Sequence, residues 1–206
     1  MNNKHLPDPV SYRLLLLGLL TAFICGCAAF QPVPADKISF RDRAQTKTKD
    51  GVTVSVVVLS AEESEQAFAA PLADKKIQPV WVHIENPTEH RYLLLENKLD
   101  SDYYSPHEAS WKNHYFASGE ANREMDQYFL NQHVPLLIEP GQTVSGFVYT
   151  NLDAGLKYVS VDLVRKGHYN SYWFVVEGPG LEADYKQVDF KALYPEEEIL
   201  FIEDEE

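Results

Sequence analysis

The sequence predicts an all-β fold, an immunoglobulin-like antiparallel β-sandwich with short helical insertions. Three observations lead there. Over residues 43–176 apolar and polar side chains alternate at period two, as half-buried strands require. Turn-forming pairs such as Asp50-Gly51, Asn86-Pro87 and Pro140-Gly141 cut that stretch into seven or eight short runs. Helix signals are confined to segments between the runs.

Taken in order, Val52, Val54, Val56 and Val58 alternate with Thr53, Ser55, Val57 and Leu59 in a strongly β-branched strand. Asp50-Gly51 reads as the hairpin turn joining it to a polar strand near residues 43–48. Ser60 and Glu63 form a capping box that opens a helix over 61–70, ended by Pro71. Val80, Val82 and Ile84 alternate with Trp81, His83 and Glu85 until Asn86-Pro87-Thr88 turns the chain, and residues 92–95 are expected to return as the partner of that strand. Ser105 and Glu108 repeat the capping box, with Pro106 at the first helical position, which predicts a helix over 106–115. Residues 119–131 place Ala121, Met125, Tyr128 and Phe129 on one helical face. Pro140-Gly141 suits a type II turn before a strand over 143–150, in which Gly146 is expected to make room for a bulky neighbour. Val159, Val161 and Leu163 alternate with Ser160 and Asp162, residues 165–171 read as a loop, and 172–176 close the pattern, giving a sandwich domain over 43–178. Residues 179–206 follow as an acidic tail with a brief apolar centre at 199–202.

The amino end carries a separate signal. Lys4 and Arg13 precede an apolar stretch over residues 14–25, and Ile24-Cys25-Gly26-Cys27 ends it. That stretch is too short for a membrane-spanning helix, which needs about 20 residues, and suits a signal peptide core. The pattern resembles the signal peptide and lipobox of a bacterial lipoprotein. Gly26 is small enough for a peptidase pocket ahead of Cys27, whereas a cut before Cys25 would place Ile24 there. The resemblance implies removal of residues 1–26, acylation of Cys27 by chains such as palmitate, and a lipidated tether over 27–42 containing Pro32 and Pro34. Several acyl chains, at about 0.8 kcal/mol per buried methylene, would hold such a protein on a membrane. Ala28, where an aspartate would favour the inner membrane, implies the outer membrane facing the periplasm. The alternatives are an ordinary secretory signal cut after Ala29, which would discard Cys27, and a cytoplasmic chain with an apolar start.

Composition narrows the function classes. The chain has 18 Lys+Arg against 31 Asp+Glu, a net charge of −13, which argues against nucleic acid as a partner. Its two cysteines lie at 25 and 27, so the sandwich has no thiol for catalysis, redox chemistry or metal ligation. His83, His90, His107, His114, His133 and His168 show no zinc-binding spacing, and no nucleophile elbow, P-loop or dinucleotide fingerprint is present, so no cofactor or resident metal is expected. The densest polar and aromatic constellation is Asp100, Asp102, Tyr103, Tyr104, His107 and Trp111, with Glu108 and His114 close by. It is the candidate binding site, because rings on a sandwich loop offer large contact area at low entropy cost. Carboxylates two apart also suit a cation, although the glycine and distal glutamate of a calcium loop are missing. The expected function is a noncatalytic envelope binding or scaffold module with an envelope protein partner, linked to secretion or envelope maintenance. The alternative is an envelope hydrolase or metal-binding accessory protein using Asp100, Asp102 and His107.

One family resemblance spans most of the chain. Asp50-Gly51-Val52-Thr53-Val54-Ser55-Val56, Leu59-Ser60-Ala61-Glu62-Glu63-Ser64, Ile77-Gln78-Pro79-Val80-Trp81 and Leu99-Asp100-Ser101-Asp102-Tyr103-Tyr104-Ser105-Pro106 carry it, with Pro140-Gly141-Gln142-Thr143-Val144-Ser145-Gly146-Phe147. Together they are similar to the region ahead of the conserved part of LssY C-terminal-domain proteins of bacteria. The resemblance covers residues 41–199 and implies no catalytic residues.

Overall fold

The computed structural model describes residues 30–95, 103–116 and 118–180, and its elements all belong to the unit Pro32–Glu206. Among the described residues eight strands form two antiparallel sheets. The first runs β1 (Gln45–Lys49), β2 (Val52–Val58), β3 (Ile77–Glu85), β6 (Thr143–Asn151). The second runs β5 (Leu137–Ile138), β4 (Tyr92–Leu94), β7 (Leu156–Arg165), β8 (His168–Glu177). The chain changes sheet after β3, after β5 and after β6, so that β3 pairs with β6 and β4 with β7. This is the Greek-key connectivity of immunoglobulin-like sandwiches.

Alternation builds the core. Val54, Val56, Val82 and Val148 of the first sheet meet Tyr92, Val161, Tyr172 and Phe174 of the second in one buried cluster. The β1–β2 turn has Asp50 and Gly51 both at positive φ, 48° and 80°, as a two-residue type I′ hairpin requires.

Among the described residues three α-helices, α1 (Ala61–Phe68), α2 (Pro106–Trp111) and α3 (Gly119–Gln132), lie between strands. Both capping boxes form. Glu63 N donates to Ser60 Oγ at 3.1 Å while Ser60 N donates to Glu63 Oε2 at 2.9 Å, and Ser105 and Glu108 repeat the exchange. The helices bring an aromatic layer onto the outer face of the first sheet. Phe68 of α1 lies 4.9 Å from Phe129 of α3, 5.0 Å from Phe147 and 5.5 Å from Tyr149 of β6. Trp81, on the outward phase of β3, is buried beneath Phe40, 5.8 Å away, and the Arg41 guanidinium, 5.2 Å from its ring. Tyrosine hydroxyls satisfy carbonyls that the helix ends leave open. Tyr128 donates to Ala67 O, Tyr115 to Ala69 O, and Tyr149 to Phe129 O.

The structure corrects four expectations. Residues 92–94 do not pair with β3, whose second edge is taken by a nine-pair ladder with β6; Tyr92 and Leu94 instead point into the core from the second sheet. A three-residue strand cannot compete with that ladder. Residues 165–171 are not a loop: β7 and β8 pair continuously from Leu156↔Glu177 to Arg165↔His168, around a turn with Gly167 at φ 70°. The polar residues there lie on strand ends and on the outward phase, except Asn170, which is buried on the inward phase opposite Leu163. Part of the span 27–42, expected as a tether, packs on the domain. Residues 35–43 form two 3-10 turns on the domain, with Phe40 fully buried 5.8 Å from Trp81 and 6.0 Å from Phe147. A lone phenylalanine in a polar run has no periodicity, so its burial left no pattern to read. Gly146 makes room for backbone, not for a bulky side chain. A Cβ there would meet Val134 Cα and N at 2.5 Å and His133 C at 2.7 Å.

The two sheets are also joined along one open side. Gln45, Lys47 and Lys49 of β1 donate to the edge carbonyls of β8 at Val175, Trp173 and Ser171. Tyr172 reaches across from β8 to Lys49 O at 3.1 Å, and His168 bonds Asp50 at 3.0 Å. An otherwise open strand edge is thereby occupied by side chains.

Candidate functional site

The predicted site residues divide on inspection. Asp100 and Asp102 lie outside the described residues, as does Cys27. Tyr104 bridges to Tyr149 of β6, donates its hydroxyl to Asn151 at 2.9 Å, and carries Lys112 Nζ 4.6 Å above its ring. It therefore fastens the insertion to the sandwich. Tyr103 is exposed, while His107 and Trp111 project from α2 with their rings 6.3 Å apart.

Asp126 of α3 organises this region. Its Oδ1 lies 2.5 Å from Ser110 Oγ, 2.8 Å from His114 Nε2 and 3.8 Å from His107 Nδ1. A serine, a histidine and an aspartate thus meet, but not as a hydrolase needs them. Ser110 is buried, and its hydroxyl faces the carboxylate and His107 O at 3.0 Å instead of an imidazole. The cluster staples α2 to α3. Beside it a cavity of about 350 Å³ is lined by His107, Arg123, Asp126, Gln127 and Leu130. Among the described residues no group of three or more His, Cys, Asp or Glu is arranged to hold a metal ion.

Burial opposes ionisation of Asp126, but hydrogen bonds from Ser110 and His114 and the nearby histidine charges outweigh it, so its carboxyl sits below the ordinary value. A depressed folded pKa gives stability that is present above the unfolded value, 3.8, and lost as pH falls through the folded one. Acid unfolding below about pH 4 should therefore be less steep in Asp126→Asn than in the parent chain. Equal slopes in pH titrations followed by circular dichroism would show that the staple contributes nothing.

A second surface is larger and was missed. On the outer face of the second sheet, Leu156, Tyr158, Tyr169, Trp173 and Val175 are all more than half exposed, with Leu93 and Leu137 continuing it across β4 and β5. Tyr158 sits directly opposite Val175, with Leu156 and Trp173 next along the same face. Between this patch and Tyr169 lie two buried polar groups, Ser160 and Asp162, whose side chains hydrogen bond at 3.1 Å. A hydrogen bond between Tyr169 and Asp162 raises the phenol above its ordinary pKa. The corresponding face of the first sheet is covered over Trp81, Phe147 and Tyr149 and is polar where it is exposed, which makes the exposure of apolar side chains here asymmetric. At roughly 100 Å² for each half-exposed aromatic ring, the patch is on the order of several hundred Å², as large as monomeric proteins usually tolerate. The signal was available in the sequence: residues 172–176 are apolar on both phases, and a strand apolar on both phases has to cover both faces.

Among the described residues no helix is long and apolar enough to cross a membrane. Comparison with family models, curated proteins and solved structures gives no match to this chain.

Proposed function

We propose that this chain is an envelope lipoprotein, acylated at Cys27, held at the outer membrane facing the periplasm, whose sandwich serves as a noncatalytic binding or scaffold module for an envelope protein in secretion or envelope maintenance. The observation that carries the binding reading is the exposed face formed by Leu156, Tyr158, Tyr169, Trp173 and Val175. Aromatic rings flanked by polar groups are the composition of interface centres. The lipobox pattern and Ala28 support the anchor and its side of the membrane. Likeness to the region preceding the conserved part of LssY C-terminal-domain proteins is compatible with a module that carries no catalytic groups.

Two measurements test this. Cys27→Ser should abolish incorporation of labelled palmitate and release the protein into the soluble fraction. A photoreactive side chain placed in cells at position 173 should give a discrete adduct with one envelope protein, reduced about tenfold by Tyr158→Ser, a loss of about 1.4 kcal/mol in binding. The same probe at Ser145, exposed on the polar half of the first sheet, should give none. Absence of any adduct from position 173 overturns the binding reading.

A further inference from the structure

We propose that the occupant of the outer face of the second sheet is a second copy of this chain. The two faces pack against each other antiparallel across a two-fold axis, so that Lys166 of each copy meets Glu177 of the other. The proposal rests on reading the face as the partner site and names the partner.

The area suffices for a dimer. The rings of Tyr158, Tyr169 and Trp173 with the aliphatic side chains around them expose on the order of 600 Å² per copy, at about 100 Å² for each half-exposed ring and slightly less for each aliphatic group. Two copies remove about 1,200 Å² from water, the lower edge of specific interfaces. The surface is also regular. β7 and β8 pair without interruption from Leu156↔Glu177 to Arg165↔His168, and a like sheet meets such a face at about 30°, the angle of aligned sandwich packing. Strand-to-strand joining at β8 is closed, because Gln45, Lys47 and Lys49 already occupy its edge carbonyls.

The polar groups within the face are already satisfied. Asp162 is bonded by Ser160 at 3.1 Å and by Tyr169. Ser171 lies 3.3 Å from Ser160 and accepts from Trp173 Nε1. Covering the face with a second apolar sheet therefore strands no donor or charge.

Charge sets the antiparallel direction. Lys166 stands exposed at the β7–β8 hairpin tip, and Glu177 stands exposed at the opposite end of the face, beside Leu156. About 33 Å, the length of β8, separates those ends. Their neighbours are engaged within the chain: Asp50 with His168, Arg91 with Glu139, Asp153 with Lys157, and Arg165 on the Tyr92 ring. Neither Lys166 nor Glu177 is in an ion pair with a described residue. A parallel pairing sets lysine on lysine and glutamate on glutamate, whereas the antiparallel pairing sets opposite charges together at both ends.

The test uses the full chain in cells, expressed as two differently tagged copies. Trp173 lies midway along β8, beside the two-fold axis of this arrangement. A photoreactive side chain at position 173 should therefore give an adduct of twice the chain's mass that carries both tags. Lys166→Glu should cut its yield about fivefold or more, because like charges then face each other at both ends, and Glu177→Lys should do the same. The two substitutions in one chain restore opposite charges and should return the yield to within about twofold of the parent. A yield indifferent to both single variants, or one that the double variant fails to restore, overturns the antiparallel pairing. Absence of a doubly tagged adduct overturns the second copy. In that case an adduct with a different envelope protein leaves the partner reading standing, and no adduct of any kind removes both. An adduct of lipid mass points to a bilayer surface and also overturns the second copy.

Discussion

Replacing Phe68 by alanine should lower the unfolding free energy by about 3–5 kcal/mol, the range for deleting a fully buried phenylalanine side chain. Phe68 is the last residue of α1 and is completely buried. Its ring contacts Tyr128 and Phe129 of α3 and Phe147 and Tyr149 of β6, so one side chain joins two helices to the outer face of the first sheet. The cavity cannot collapse easily, because its walls are strand residues on one side and rings fixed by hydroxyl hydrogen bonds on the other. Tyr128 is held to Ala67 O and Tyr149 to Phe129 O. Burial pushes the Tyr149 phenol well above its ordinary pKa, with Tyr128 adding to the effect, as expected where a hydroxyl is sealed from water. Urea unfolding checks this: the midpoint should fall with the slope unchanged. A loss below about 1 kcal/mol, the level of an ordinary surface substitution, would mean that the helical layer does not pack on the sheet as described.

Gly146→Ala should destabilise by about 1–3 kcal/mol or more, the scale of overpacking. The sign is the informative part. At an unstrained strand glycine, alanine usually stabilises by reducing the freedom of the unfolded chain. Here the added methyl would lie 2.5 Å from Val134 Cα and N and 2.7 Å from His133 C, all backbone atoms that no rotamer change can clear. The segment must retreat, and with it the hydrogen bond from Val134 N to Phe147 O at 3.2 Å and the bridge between His133 and Phe147. Thermal and urea melts of the alanine variant decide between the two signs. A gain in stability would place residues 133–134 further from β6 than the structure has them.

Much of the fold was legible because local chemistry and tertiary structure agree. Val52 to Val58 needed only alternation, both capping boxes only a serine and a glutamate three apart, and the β1–β2 turn only Asp50-Gly51. Ala121, Met125 and Phe129 are buried on the helical face expected of them, while Tyr128 is only partly covered. The reading of residues 165–171 as a loop failed because polarity was taken for irregularity, when outward-facing strand positions are polar too. The candidate site was legible only as a set of residue types. Sequence could gather Tyr103, Tyr104, His107 and Trp111, yet Tyr104 faces the sandwich and Trp111 faces solvent.

By itself the sequence determined most of the strands, where the helices start, the acidic net charge, and the absence of any cysteine from the sandwich. Those are properties of one residue and its near neighbours. Which sheet receives β4, which outer face the helices cover, and which face keeps Leu156, Tyr158, Trp173 and Val175 in water were decided by tertiary structure alone. A strand's pattern says that one side is apolar, but only the arrival of Phe40, Phe68 and Phe129 from distant segments makes one sheet's outer surface interior. Nothing among the described contacts does the same for the rings of the other sheet.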